Sequence, residues 1–445
     1  MATQNSGQGD STLRGQGCRE QRIPPCTDAG NAEVFASLFR DRLRFDHQRQ
    51  RWLLYREHWW MADVDGELMR LAKHAVRVRF NIVANIDDDE KRRKETKWAV
   101  HSESLPRLEA MLTLARSERQ LADDGSKWDG DGWAFGARNG VIDLKTGKLR
   151  PGTPSDRITL HSDIAFDPDA KCPRWDRFFV EIFDGDSDLI SYIQRAIGYS
   201  LTGETSEQCF FCCYGEGANG KSAFLNAIYN VLGSYACNLP FSAFELSVRS
   251  TVPNDVATLP GRRFVTAIET DESARLNEAR IKALTGGDLV TARQLYREFF
   301  SFKPIAKFWL AFNHPPIVAD DSHGFWRRVH VIPFVCQFDP QVEPKLEEAL
   351  KAEAPGILAW AVRGCIEWQT RGLTSRRLEA MGFDKVRVGH LRTWTWVGIC
   401  LKEDADIQRM QATSEPPTSN SSADVRADAD VKLQQLPYGA SIGSL

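Results

Sequence analysis

Residues 215–222 read Gly215-Glu216-Gly217-Ala218-Asn219-Gly220-Lys221-Ser222, a complete G-x-x-x-x-G-K-[ST] pattern. These residue types suit a nucleoside triphosphate. Glycines let consecutive backbone N–H groups close around phosphate oxygens, and the turn delivers those oxygens to the positive end of a helix. Lys221 adds a point charge and Ser222 a hydroxyl for magnesium.

Further along, Arg262-Arg263-Phe264-Val265-Thr266-Ala267-Ile268-Glu269 reads as an apolar strand that delivers an acid at its end. Phosphate hydrolysis needs such a group to hold the metal and orient or deprotonate a water. Glu269 is best placed, with Asp271 and Glu272 in reserve. A third apolar strand, Lys307–Phe312, ends at Asn313-His314, where an amide can orient the attacking water and touch the γ-phosphate without adding charge. Between the two strands lie Lys282–Asp288 and then Arg293, Tyr296, Arg297, Phe299, Phe300 and Lys303. Cations interleaved with aromatics suit a nucleic-acid backbone and stacked bases, and they also suit a surface hairpin with a half-buried aromatic face. Finally, Arg327 and Arg328 precede the strand Val329–Phe334. An arginine there could reach a neighbouring subunit's γ-phosphate; a solvated strand start is the plainer alternative.

The elements that position these groups follow from pattern. The apolar run Cys209–Tyr214 predicts a strand, Ala223–Leu232 an amphipathic helix, and residues 207–334 as a whole alternate strands and helices. That is an α/β layout with a mostly parallel sheet. The 445 residues leave room for about three domains, and 42% hydrophobic content can supply their cores. A net charge of −3 gives no global footprint for nucleic acid, so any such contact rests on local basic patches. Cys209, Cys212 and Cys213 sit in an apolar run without a histidine pair, which predicts buried thiols in a reducing compartment. Met1–Pro25 lacks the apolar core of about 7–15 residues that a signal peptide needs, and nothing later approaches about 18 uninterrupted apolar residues. The expectation is a soluble, cytoplasmic protein that neither crosses a membrane nor is secreted.

Upstream, Trp52, Trp59 and Trp60 predict a core more than a stacking platform, and Glu67–Val76 predicts a helix. The run Asp87–Glu95 pairs acid with base at i,i+4 and predicts a solvated helix face. Asn139–Leu149 gives a hairpin, and Asp167–Trp175 a turn that launches a helical region through Gly198. Val342–Trp368 reads as two helices, with Pro355-Gly356 opening the second.

The order of phosphate loop, acid-ended strand, Thr285-Gly286-Gly287-Asp288, asparagine-ended strand and paired arginines resembles superfamily 3 helicases. Specifically, it resembles the phage/plasmid primase-helicases related to the poxvirus primase-helicase and the satellite-phage replication protein. Asn139-Gly140-Val141-Ile142-Asp143, Asp167–Trp175, Gly198–Gly203 and Arg275–Glu278 agree with that group. The resemblance implies an AAA-like P-loop NTPase core that binds ATP and Mg2+, forms a ring, usually a hexamer, and moves 3′ to 5′ along single-stranded DNA. It assigns Lys221 and Ser222 to phosphate and magnesium, Glu269 as the principal acid, Asn313 as sensor, and Arg327 or Arg328 in trans. Arg297–Lys303 would face the channel.

The expected organisation is a disordered leader (1–26), an α+β helicase-associated module (27–150), a helical collar (151–206), the ATPase core (207–340), a helical extension (341–375) and an atypical, largely disordered tail (376–445). Too few residues precede the associated module for a primase, and Asp63-Val64-Asp65 reads as a loop. A separate primase is the expected partner. The alternative left open is a non-translocating ATPase or DNA-binding scaffold.

Overall fold

The computed structural model describes residues 24–83, 86–246, 255–269, 275–293, 299–313, 318, 323–338 and 343–373, and the strands at 384–388 and 393–397. Thr27 opens α1 (Asp28–Phe39) by accepting the Gly30 N–H. The strands β1 (Leu43–Asp46), β2 (Arg51–Arg56) and β3 (Trp59–Ala62) follow, then the helices α2 (Glu67–Val83), α3 (Asp89–Ser102) and α4 (Leu105–Ala115), and the short β4 (Ala122–Asp123). They form one sheet in the order β3-β2-β1-β4. Period-two alternation turns Leu43, Phe45, Trp52 and Leu54 onto α1, α2 and α4, and Leu53 and Trp60 onto Trp128. The three tryptophans are core residues.

Asp63 accepts the N–H groups of Glu67 and Leu68 at 3.0 and 3.2 Å, while Asp65 pairs with Arg70 and Arg56. Both carboxylates are therefore occupied in starting α2. The charged run is mostly exposed, as its pattern predicts, but Glu95 departs from it. One turn beyond the exposed acids it points inward, where it meets the buried Arg79 at 2.9 Å.

A three-stranded sheet comes next: β5 (Ala134–Ala137), β6 (Gly140–Asp143) and β7 (Lys148–Arg150), each antiparallel to the next. The helical region expected through Gly198 is two helices, α5 (Pro173–Ile182) and α6 (Ser187–Ser200). Asp184 and Gly185 take positive φ, and Asp186 caps α6, so one helix cannot continue into the other.

The central sheet contains β8 (Phe210–Tyr214), β9 (Ala236–Asn238), β10 (Phe264–Ile268), β13 (Lys307–Phe312) and β14 (Val329–Pro333). Its order is β14-β8-β13-β10-β9 and every pair is parallel. Between these strands run α7 (Lys221–Leu232), α8 (Glu278–Gly286), the hairpin β11 (Val290–Arg293) and β12 (Phe299–Phe302), and the short α9 (His323–Trp326); α10 (Leu346–Ala352) and α11 (Ala354–Arg371) follow. Phe211, Cys213, Phe264 and Trp309 pack with Phe224 and Ile228 of α7. Phe210, Cys212, Val265 and Leu310 pack with Ile281 of α8 and Phe325 of α9. Both faces are covered, which is why the strands read as unbroken apolar runs.

On the α7 side, α6 crosses α11 with backbones touching: a Cβ at Gly364 would lie 2.1 Å from the Gln194 carbonyl oxygen. Residues of 151–206, 207–340 and 341–375 thus share one hydrophobic cluster. Two buried cations tie the central sheet to what precedes it. Arg263 donates to the carbonyls of Asp131, Ala134 and Leu201, and Lys307 to those of Thr202, Glu204 and Ile305. Burial holds the Lys307 ammonium well below its ordinary pKa. Cys209, Cys212 and Cys213 are buried, and desolvation pushes their thiols up. Within 376–445, expected to be largely without structure, β15 (Asp384–Val388) and β16 (Thr393–Val397) pair antiparallel. Among the described residues no helix is long and apolar enough to cross a membrane, and no cluster of three metal-ligating side chains occurs.

Candidate nucleotide site at the carboxyl edge of the sheet

Strand order sets the place. From β8 the chain crosses past β13 and β10 to β9, whereas from β13 it crosses back over β8 to β14. The loops that leave β8 and β13 therefore diverge, opening the crevice at the carboxyl ends of a parallel sheet where ligands bind. Residues 215–220 leave β8 there. Gly215 has φ +153°, and a Cβ on it would come within 2.2 Å of the Phe334 carbonyl oxygen. Gly220 has φ +85° and hands the chain to α7 as its N-cap. A side chain is disfavoured at both positions.

Glu216, Gly217 and Ala218 are exposed along the loop, and Ser222 is exposed in the first turn of α7. Lys221 is 6% exposed. Its ammonium donates to the Gly215 carbonyl and, at 3.2 Å, to that of Glu216. Burial lowers its pKa, and an anion brought beside it would act in the opposite direction. Asn219, also buried, donates its amide to the Phe334 carbonyl at 3.2 Å. The Phe338 N–H reaches the Ala218 carbonyl at 2.7 Å, so the chain leaving β14 straps the loop from behind.

Glu269 follows β10 immediately, is 6% exposed, and donates its N–H to the Ala311 carbonyl at 2.9 Å. Phe312 pairs with Tyr214 and Ile268 with Ala311, so Gly215 and Asn313 stand level along one edge and Glu269 one residue short of them. Two strand spacings, about 10 Å, separate the loop's backbone from that of Glu269, with Asn313 exposed between them. This edge fits a magnesium nucleotide: an exposed hydroxyl at Ser222, a helix N-terminus and a buried carboxylate converge on it. Asp271, Glu272, His314, Tyr296 and Arg297 lie outside the described residues.

The remaining candidates are elsewhere. Arg327 and Arg328 precede β14, and the Phe210 N–H donates to the Arg328 carbonyl at 2.9 Å, which places them at the amino edge of the sheet. Five residues of strand, roughly 17 Å, separate them from the loop of the same chain. Arg327 donates to the Gln208 side chain at 2.6 Å, and Arg328 to the Gly324 carbonyl. Desolvation and the neighbouring Arg327 lower the Arg328 pKa, and Asp288 opposes them.

Lys303 also lies at this edge. Its Cε would be 3.1 Å from a Cβ on Gly287. In the hairpin, Arg293 stacks over the exposed Phe299 ring at 5.1 Å, while Phe300 and Phe302 pack on the core. Sequence reasoning assigned no role to Asn219 beyond the loop, and it missed the strap after β14 and Gln208. These contacts join distant segments and leave no local spacing to read.

The fold and this edge define a parallel α/β protein whose carboxyl edge gathers a glycine-rich loop, a buried lysine and a buried carboxylate. The model described as "D5 N terminal like" matches residues 32–184, and one described as a family of unknown function (DUF5906) matches 213–328. The chain is 33% identical over 215 residues to "Putative helicase L207/L206" of Acanthamoeba polyphaga mimivirus, covering 47% of this chain and 22% of that protein. It is 28% identical over 227 residues to "Putative helicase 184R" of Invertebrate iridescent virus 6, covering 47% of this chain and 23% of that protein. To "Putative primase C962R" of African swine fever virus it is 29% identical over 208 residues, covering 44% and 21%. Among solved structures, the apo C-terminal region of NrS-1 aligns at 9% identity and a TM-score of 0.44, over 78% of this chain and 76% of that one. These matches make the chain similar to phage and viral primase-helicases, over 32–184 by the D5-like model and over roughly half of its length by the viral relatives. Its alignments span about a fifth of the length of these curated relatives.

Proposed function

We propose that the chain is the ATP-hydrolysing motor of a ring-forming DNA helicase in phage, prophage or plasmid replication, at work in a bacterial or virus-infected cytoplasm. It hydrolyses ATP with Mg2+ between subunits, assembles as a hexamer, and draws single-stranded DNA 3′ to 5′ past the hairpin of Arg293, Tyr296, Arg297 and Lys303. The relatives named as helicases support this reading. Primer synthesis is assigned to a separate primase, since Asp63 and Asp65 are taken up by helix capping and ion pairing.

Lys221 and the loop N–H groups would hold the β and γ phosphates, and Ser222 and Glu269 the magnesium. When bound, the metal neutralises charge on the phosphates. Glu269 also orients the attacking water, with Asn313 fixing its position against the γ-phosphate. The observation that carries the proposal is the placement of loop and paired arginines on opposite edges of one sheet, which leaves Arg327 and Arg328 to complete a neighbour's site.

The test is ATP hydrolysis with and without single-stranded DNA, on protein sized by light scattering. Stimulated hydrolysis by an oligomer is expected. Hydrolysis by a monomer, indifferent to DNA, would instead favour the solitary ATPase.

A further inference from the structure

Gln208 precedes β8 and holds a left-handed backbone, φ +50°, which a residue with a Cβ adopts only at a cost. Its side chain is used at both ends. The carbonyl oxygen accepts from Arg327 Nη2 at 2.6 Å, and the amide nitrogen donates to the Gly286 carbonyl at 3.3 Å. Gly286 and Gly287 turn the chain from α8 toward the hairpin, and Lys303 at the hairpin's base rests on Gly287. Lys303, the Gly-Gly turn, Gln208 and Arg327 thus form one contiguous line across the amino edge of the sheet. Asp288 of the same turn and Arg328 lie side by side next to it, their Oδ2 and Nη2 atoms 3.4 and 3.8 Å from where a Cβ on Gly286 would stand.

We propose that Gln208 is a positioning residue, which fixes Arg327 for the neighbour's site and ties that arginine to the turn that carries the hairpin. A strand pulling on the hairpin then moves the turn, and Gln208 passes the displacement to the arginine. The inference rests on the proposed function and deepens it, by naming the link between DNA engagement and hydrolysis. A glutamine suits the task because one planar amide offers an acceptor to the guanidinium and a donor to the carbonyl.

Two variants separate the halves of this link. Gln208→Ala removes both bonds. It should lower the DNA-stimulated kcat about tenfold, toward the level of Arg327→Ala, while KM for ATP and single-stranded DNA affinity stay within about twofold. The double variant should be no slower than Arg327→Ala alone, since both changes act on one interaction. Gln208→Glu keeps the acceptor for Arg327 but loses the donor to Gly286. It should retain basal hydrolysis and lose the stimulation.

Gln208→Gly relieves the backbone while removing both bonds. A slow, well-folded Gly variant therefore supports the inference free of any folding defect. Normal stimulation in Gln208→Ala beside a slow Arg327→Ala, or losses that multiply in the double variant, would overturn it. If Arg327→Ala itself hydrolyses as wild type, the arginine assignment fails and this link falls with it, an outcome distinct from failure of Gln208 alone.

Discussion

The two edges of the central sheet are built from different materials. At the carboxyl edge the groups are held by backbone: Gly215 and Gly220 at positive φ, Glu269 directly after its strand, and the strap after β14 fastened to Ala218 and Asn219. At the amino edge they are held through their own side chains, with Arg327 on Gln208 and Arg328 on the Gly324 carbonyl. A rigid edge can pre-organise donors around phosphate, where small displacements are costly. An edge assembled from side-chain contacts can shift with a neighbour or a strand. Within one chain the two edges stand a strand's length apart, and under the proposed function a second copy would bring them together.

The largest effect is expected at the carboxyl edge. Lys221→Ala should abolish hydrolysis and weaken nucleotide binding together, whereas Glu269→Gln should still bind nucleotide and stop turnover. Filter binding beside phosphate release separates the two, and normal turnover by Glu269→Gln would pass the role to Asp271 or Glu272.

Next come the arginines. Arg327→Ala or Arg328→Ala should lower kcat on the order of 10^3-fold with little change in ATP affinity, because such an arginine meets charge that develops in the transition state. Doping wild type with either variant should cost more activity than dilution does, since each poisoned interface disables a neighbour. Strictly proportional loss would make the two edges independent and end the comparison.

The difference between the edges also explains what was legible in the sequence. The loop, the acid after β10 and the asparagine after β13 show themselves as local motifs, because turn chemistry and strand ends leave marks within a few residues. Strand order, by contrast, depends on which runs pair. Lys307 reads as the first residue of an apolar strand, yet it is buried on three carbonyls that no pattern announces. Glu95 continues an exposed i,i+4 series but turns inward to Arg79, because the partner lies on another helix. Gln208 is an unremarkable polar residue until the fold brings Gly286 and Arg327 to it. The pair β15–β16 escaped notice because both strands are short and Asp384, Lys385 and Arg387 put three charges inside the first.

A smaller effect is expected in the hairpin. Arg293→Ala with Lys303→Ala should weaken single-stranded DNA binding while basal hydrolysis stays near normal. The slope of log affinity against log salt should fall by about 1.4, from about 0.7 counterions per lost contact on single strands. An unchanged slope would take these two cations off the DNA path and leave the amino edge with the arginines alone.

The smallest effect concerns the strand that joins the edges. His330 lies on β14, hydrogen-bonded to the Tyr192 hydroxyl and packed on the Phe211 ring, and desolvation lowers its pKa from 6.5 to about 4. Between those values the unfolded chain binds a proton that the folded chain refuses. Stability is therefore full above about pH 6.5 and falls as pH drops toward 4. At pH 5 the loss is at most about 2 kcal/mol from 1.36 kcal/mol per unit, and less to the extent that solvent reaches the ring. Urea unfolding at pH 7.5 and 5 should show this loss in wild type and a smaller one in His330→Phe. Equal losses in the two proteins would mean that β14 tolerates the proton, and that the strand between loop and arginines is more adaptable than its packing implies.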